Sequence, residues 1–150
     1  MSGIDFAAVE RSVRQVVGGQ GMAKHLGTRI DAVEPGRTVF SLDRREELLQ
    51  HHDFFHGGAI AFLIDIATTS AAATLVDRET QTCLTAEYKL NFVSPARGEK
   101  ISCEATVIKP GRRMTVVEAK VYSHENGEPK LVSAALATIA IIELNSRPAQ

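Results

Sequence analysis

Between Ile4 and Val17 the apolar residues Ile4, Ala7, Ala8, Val13, Val16 and Val17 recur near helical spacing, and Gly18-Gly19 then favours a turn. A short amphipathic helix is expected within residues 1–18. Leu26 to Val33 and Arg37 to Leu42 flank Glu34-Pro35-Gly36, where Pro presets one turn dihedral and Gly accepts the next, so the two runs predict a hairpin. From Gly57 onward the pattern changes. No turn residue follows Gly58 for about twenty positions, and the segment is apolar or small on every side. A helix apolar all round has to be surrounded by protein, so residues 57–77 are expected to form a long central helix.

Residues 82–142 read as strands: Thr82 to Val93, Glu99 to Ile108, Met114 to His124 and Leu131 to Ile142. Pro95-Ala96-Arg97-Gly98, Pro110-Gly111 and Asn126-Gly127 separate them, and these residues reverse a chain at low steric cost. In the first strand Leu84, Ala86, Tyr88, Leu90 and Phe92 share one face, expected to be buried; Thr85, Glu87, Lys89 and Asn91 share the wetter one. The expectation is an α+β fold of one domain, 1–150, in which a curved antiparallel sheet, with a meander over 82–142, wraps the central helix.

Composition narrows the function classes. At 150 residues and 44% hydrophobic content the chain suits one domain with a real core. Seventeen Lys plus Arg stand against eighteen Asp plus Glu with no basic block, which argues against nucleic acid as a partner. Asp65 and Thr68-Thr69-Ser70 interrupt the longest apolar stretch, Ala59 to Val76, which argues against a membrane span. Asp5, Glu10 and Arg11 break up any signal-like N-terminus, and Cys83 and Cys103 lack CxxC spacing. Reduced thiols and a cytoplasmic location are expected.

The chemistry concentrates in Gln50-His51-His52-Asp53-Phe54-Phe55-His56-Gly57-Gly58 and in Asp65. Gly57 and Gly58 open the helix, so its unpaired N–H groups and positive dipole end face outward with no side chain in the way, an arrangement suited to polarising a carbonyl oxygen. Asp65 is the one charge in an apolar helix, and burying it without partners would cost several kcal/mol by order of magnitude. It is either a catalyst or a structural carboxylate bridging subunits. Eight residues separate Gly57 from Asp65, roughly 12 Å along a helix axis. One helix cannot bring both to one carbonyl, but two antiparallel helices of a two-fold dimer can. His51, His52, Asp53 and His56 suggest metal ligands, yet Phe54-Phe55 and Gly57-Gly58 make this segment a loop, and no metal is expected.

The pattern Gln50-x5-His56-Gly57-Gly58-x6-Asp65, a strand ending Asn91-Phe92-Val93-Ser94-Pro95-Ala96, and a Gly111-Arg112 turn resemble the hotdog-fold thioesterases, in particular their PaaI-like branch. The resemblance spans about Leu26 to Ile142. It implies an acyl-CoA or aryl-CoA thioesterase, working without a cofactor as a homo-oligomer, a dimer of dimers. It assigns the Gly57 N–H to the thioester carbonyl, Asp65 to the role of nucleophile or general base, and His56 to orienting the turn or assisting the carbonyl contact. Gln50 stands where the family has Asn or Gln to meet the thioester or water. Two hydroxyl helpers are candidates: Thr85, at the family's strand position but on the face opposite the expected helix-packing one, and Thr69, one turn beyond Asp65. Lys109, Arg112 and Arg113, at a hairpin tip, are candidates for the coenzyme A phosphates. The sequence departs from the pattern at Asp53, where many relatives carry Gly. A hydratase or dehydratase on acyl thioesters, and a non-catalytic acyl-CoA binding protein, are the alternatives on this fold.

Overall fold

The computed structural model describes residues 5–144. Met1–Ile4, part of the expected first helix, lies outside them. Helix α1 (Phe6–Gly19) starts where the Asp5 side chain accepts from the Ala8 N–H. It buries Val9, Val13 and Val17, while Ala7, Ala8 and Val16, expected on the core side, are exposed. The helix runs through Gly18-Gly19 instead of stopping before them. A six-residue helix α2 (Gly21–Leu26) follows, occupying the start of the expected first strand. It closes at Gly27, whose φ of +69° places its own N–H on Lys24 and the Thr28 N–H on Ala23, a left-handed ending that glycine adopts at least cost.

Strands β1 (Arg29–Glu34) and β2 (Arg37–Asp43) form the hairpin around Pro35-Gly36. A short 3-10 turn and a loop lead to α3 (Gly57–Ala73), then β3 (Gln81–Phe92), β4 (Lys100–Lys109), β5 (Met114–Glu125) and β6 (Glu128–Glu143) complete the chain. The six strands form one antiparallel sheet in the order β1-β2-β4-β5-β6-β3. This corrects the meander expected over 82–142. Of the four strands there, β4, β5 and β6 are successive neighbours; β3 pairs with β6 at the far edge, and Pro95–Gly98 carries the chain across the sheet end instead of turning a hairpin. Asn126-Gly127, at φ +52° and +82°, makes the tight turn between β5 and β6.

The sheet curves around α3, which touches every strand from β2 to β6. Leu63, Ile64, Ala67 and Ala71 are fully buried against Phe40, Leu42, Ile101, Val117 and Ile139. The Thr38 hydroxyl donates to the Ala67 carbonyl at 2.8 Å, pinning the helix to β2. The helix ends four residues short of the expected position 77. There the Thr74 hydroxyl donates to the Ala71 carbonyl and accepts from the Gly36 N–H, tying the helix end to the β1–β2 turn. A long helix held in the concave face of a curved antiparallel sheet is the hotdog fold.

Candidate active site

The hydroxyl candidates and Asp65 come together. Thr85 Oγ1 donates to Asp65 Oδ1 at 2.5 Å, and Thr69 Oγ1 lies 2.7 Å from Thr85 Oγ1. A threonine has one proton to give; Thr85 gives its proton to the carboxylate, so Thr69 is the donor to Thr85. The chain Thr69–Thr85–Asp65 fixes one carboxylate oxygen and leaves Oδ2 without a partner among the described residues.

Thr85 reaches Asp65 through a β-bulge. The β3–β6 register runs Thr85↔Ile139 and then Glu87↔Thr138, leaving Ala86 as an extra residue. Each residue of a regular strand alternates sides, and one extra residue shifts the alternation. Before the bulge, Cys83 and Thr85 face the helix while Leu84 is 58% exposed; after it, Tyr88 and Leu90 turn inward. The expected face of Leu84, Ala86, Tyr88, Leu90 and Phe92 is therefore split, and Thr85 lies on the helix side, against the parity expectation. Tyr88 is pushed above its ordinary acidity range, first by burial and second by the Asp65 carboxylate.

Around this chain opens a cleft of about 450 Å³, floored by Asp65, Thr69 and Thr85 and walled by Val13 and Val17 of α1 and Phe62 and Ile66 of α3. A second cleft, of about 730 Å³, lies at the other end of α3 and holds Gln50, His56, Gly57 and Phe92. His56 caps the helix: its Nδ1 accepts from the Gly58 N–H at 2.8 Å, and its carbonyl accepts from Ala59. The Gly57 N–H is left without a partner among the described residues. Gly57 is also packed closely, since a Cβ there would stand 3.0 Å from the Phe92 ring. Gln50 Oε1 accepts from the His52 N–H, so its NH₂ group is the end free to meet a ligand.

Asp53, the departure from the family pattern, has a φ of +63°, the left-handed region that glycine favours. Arg44 holds it there, donating to both its carbonyl at 2.9 Å and its carboxylate at 2.8 Å. The extra carboxylate thus points to Arg44, and the loop still closes through the Gln50–Phe54 and Leu49–Phe55 pairings.

Lys109, Arg112 and Arg113 are exposed on the β4–β5 hairpin. Arg112 and Arg113 edge a separate depression with Met114 and Ile142; within one chain none of the three lines either cleft. Three contributors were not legible in the sequence: α1 as a wall of the Asp65 cleft, Arg44 as the clamp on Asp53, and Arg78, which lines the Asp65 cleft just past α3. No residue spacing announces any of them, because each acts across the fold.

Residues 52–130, which include the helix opening, Asp65 and Thr85, match the model of the thioesterase superfamily. The chain belongs to the thioesterase superfamily. Among its relatives in the family, a candidate esterase of Saccharolobus solfataricus is 30% identical over 81% of this chain and 78% of its own length. The 1,4-dihydroxy-2-naphthoyl-CoA hydrolase of Listeria monocytogenes is 25% identical over 81% of this chain and 95% of its own. A thioesterase family protein of Silicibacter pomeroyi superposes with a TM-score of 0.88 at 34% identity, covering 91% of this chain and 99% of that one. The Escherichia coli PaaI protein shares the fold, with a TM-score of 0.79 at 18% identity over 89% of this chain and 93% of its own. Thioester hydrolysis is the chemistry of this family.

Proposed function

We propose that the chain hydrolyses acyl-CoA or aryl-CoA thioesters to the free acid and coenzyme A at a site shared by two copies of the chain. The observation that supports this reading is the separation of two half-sites on one helix. The free Gly57 N–H lies in one cleft and the hydroxyl-anchored Asp65 in another, eight residues or roughly 12 Å apart along α3. Two α3 helices set antiparallel by a two-fold axis would lay the Gly57 cleft of each chain against the Asp65 cleft of the other. Strand β3 offers the means: its twelve residues form a sheet edge, and an unpaired edge pairs readily with a second copy of itself. A homodimer, pairing again into a tetramer, follows as the proposed assembly.

In that site the Gly57 N–H and the α3 dipole would polarise the thioester carbonyl and hold the oxyanion as it forms. Asp65 acts as base toward water or attacks directly; either route consumes one water, breaks the C–S bond and delivers acid and thiol. Gln50 would position the water or carbonyl, and Thr85 with Thr69 keeps the carboxylate aimed. The thiolate leaves readily, so the scheme calls on no resident metal or cofactor. The Listeria relative's naphthoyl-CoA activity supports a CoA thioester, and Lys109, Arg112 and Arg113 are assigned to its phosphates.

The test mixes two inactive variants. Asp65→Asn alone should lower thiol release from an acyl-CoA panel by about a hundredfold or more, and Gly57→Val should do the same by blocking the carbonyl site. Refolded together in equal amounts, they assort into dimers of which half are mixed, each with one intact site, so about a quarter of wild-type activity should return. No recovery from folded, mixed oligomers would place both groups' work within one chain and overturn the shared site.

A further inference from the structure

The Asp65 cleft extends beyond the reacting groups. Asp65, Thr69 and Ala73 all line it, one turn apart on α3, so it follows the helix for two turns, roughly 12 Å, from the carboxylate toward the helix end. Val13, Val16 and Val17 of α1 close its side. At the far end stands Arg78, the one cation among the described residues lining the cleft.

The surroundings of Arg78 are incomplete. Its Nε is closed to solvent and has no hydrogen-bond partner among the described residues, and none of the described ion pairs engages it. A guanidinium offers five donors in a rigid fork and accepts nothing. The Arg78 Nε, shut off from water without a partner, is the costly donor, and a planar carboxylate satisfies it best, through two parallel hydrogen bonds to Nε and a terminal nitrogen. Gln20, also on the cleft, adds an amide on the α1 side. Asp65, the acid on this cleft, is held through Oδ1 by Thr85 at the opposite end and forms no described ion pair with Arg78. The charge of Arg78 is felt in the cleft: burial pushes the Cys83 thiol up, and Arg78 opposes the shift.

We infer that Arg78 receives a carboxylate at the far end of the acyl group, so that the preferred substrates are thioesters of dicarboxylic or carboxyaryl acids about two helical turns long. This rests on the hydrolytic reading above and names its substrate class. The thioester would sit at Asp65, the apolar middle of the acyl group between α1 and α3, and the distal carboxylate on the Arg78 fork. An acyl group of the same length without the carboxylate would leave the guanidinium unpaired.

The experiment compares suberyl-CoA with octanoyl-CoA, matched in chain length and differing in the terminal carboxylate. Hydrolysis is measured as kcat/KM and binding as Kd by calorimetry on the Asp65→Asn protein. Wild type should favour suberyl-CoA by at least about tenfold, Arg78→Met should bring the ratio near one, and Arg78→Lys should keep part of it. Equal kcat/KM for the two thioesters in wild type, or an Arg78→Met loss that is the same for both, would overturn the proposal and leave Arg78 to the coenzyme or to the fold. If Arg78→Met does not fold, the wild-type ratio and the Arg78→Lys ratio decide. If wild type cleaves neither thioester, the ratio of the two dissociation constants decides whether Arg78 selects the carboxylate; the hydrolytic reading itself fails only if the acyl-CoA and aryl-CoA panel is not cleaved either.

Discussion

Asp53 shows how a single residue can satisfy a backbone that favours another. A φ of +63° costs an ordinary L-residue roughly 1–2 kcal/mol, and Asp bears it because Arg44 bonds both its carbonyl and its carboxylate. The Asp53 side chain is 83% exposed, so the ion pair contributes at most about 1 kcal/mol. Asp53→Gly should therefore leave the urea midpoint almost unchanged, backbone relief offsetting the lost pair. Asp53→Val should lower stability by about 1–2 kcal/mol; equal losses in both variants would show that the Arg44 contact, not the backbone, governs the site. At this scale the sequence disclosed what lies in one continuous stretch. Gln50, His56, Gly57 and Asp65 are legible because a loop, a cap and a helix fix their spacing locally. Arg44 and Arg78 are not, since only the folded chain brings them to Asp53 and to the cleft.

Among elements, the strands and the central helix were legible from alternation and from all-round apolarity. Their neighbours were not. Nothing in β3 states that it pairs with β6 instead of β4, because both partners offer the same antiparallel backbone and apolar inner face. The crossover that results depends on Gly98. A Cβ at Gly98 would stand 2.0 Å from the His124 carbonyl oxygen, a backbone atom that cannot swing aside, while the Glu99 N–H bonds that same oxygen and the Gly98 N–H reaches Ser123. Gly98→Ala should destabilise by about 3 kcal/mol, the upper part of the range for overpacking. Gly18→Ala, with nothing within 4 Å of its Cβ, is the control and should be neutral or slightly stabilising in the same thermal melts. A mild Gly98→Ala would mean that the crossover is free to shift away from β5.

For the molecule as a whole, stability should follow pH through His124 and Glu99, which flank the crossover. His124 is held below its ordinary value of 6.5, first by burial and then by Lys100, against Asp31 and Glu99; its Nε2 lies 2.7 Å from the Ser102 hydroxyl. The folded ring resists protonation, so the unfolded chain binds the proton first. The stability it contributes is complete above pH 6.5 and is lost as pH falls through the lower folded value. Glu99 is lowered by backbone N–H groups, its own and that of Asn126, so its contribution is complete above 4.5 and fades below that. Tm should decline in two stages on acidification, and His124→Gln should flatten the upper one; an unaltered profile in that variant would assign the upper stage elsewhere. Because strand alternation has a period of two, losing Ala86 would straighten β3 and keep Thr85 beside the carboxylate, whereas smoothing the bulge by a one-residue slip would rotate Leu84 into its place. The site therefore tolerates a deletion better than a shift. One notch of register along a single edge strand separates a carboxylate anchored by a threonine from one facing a leucine.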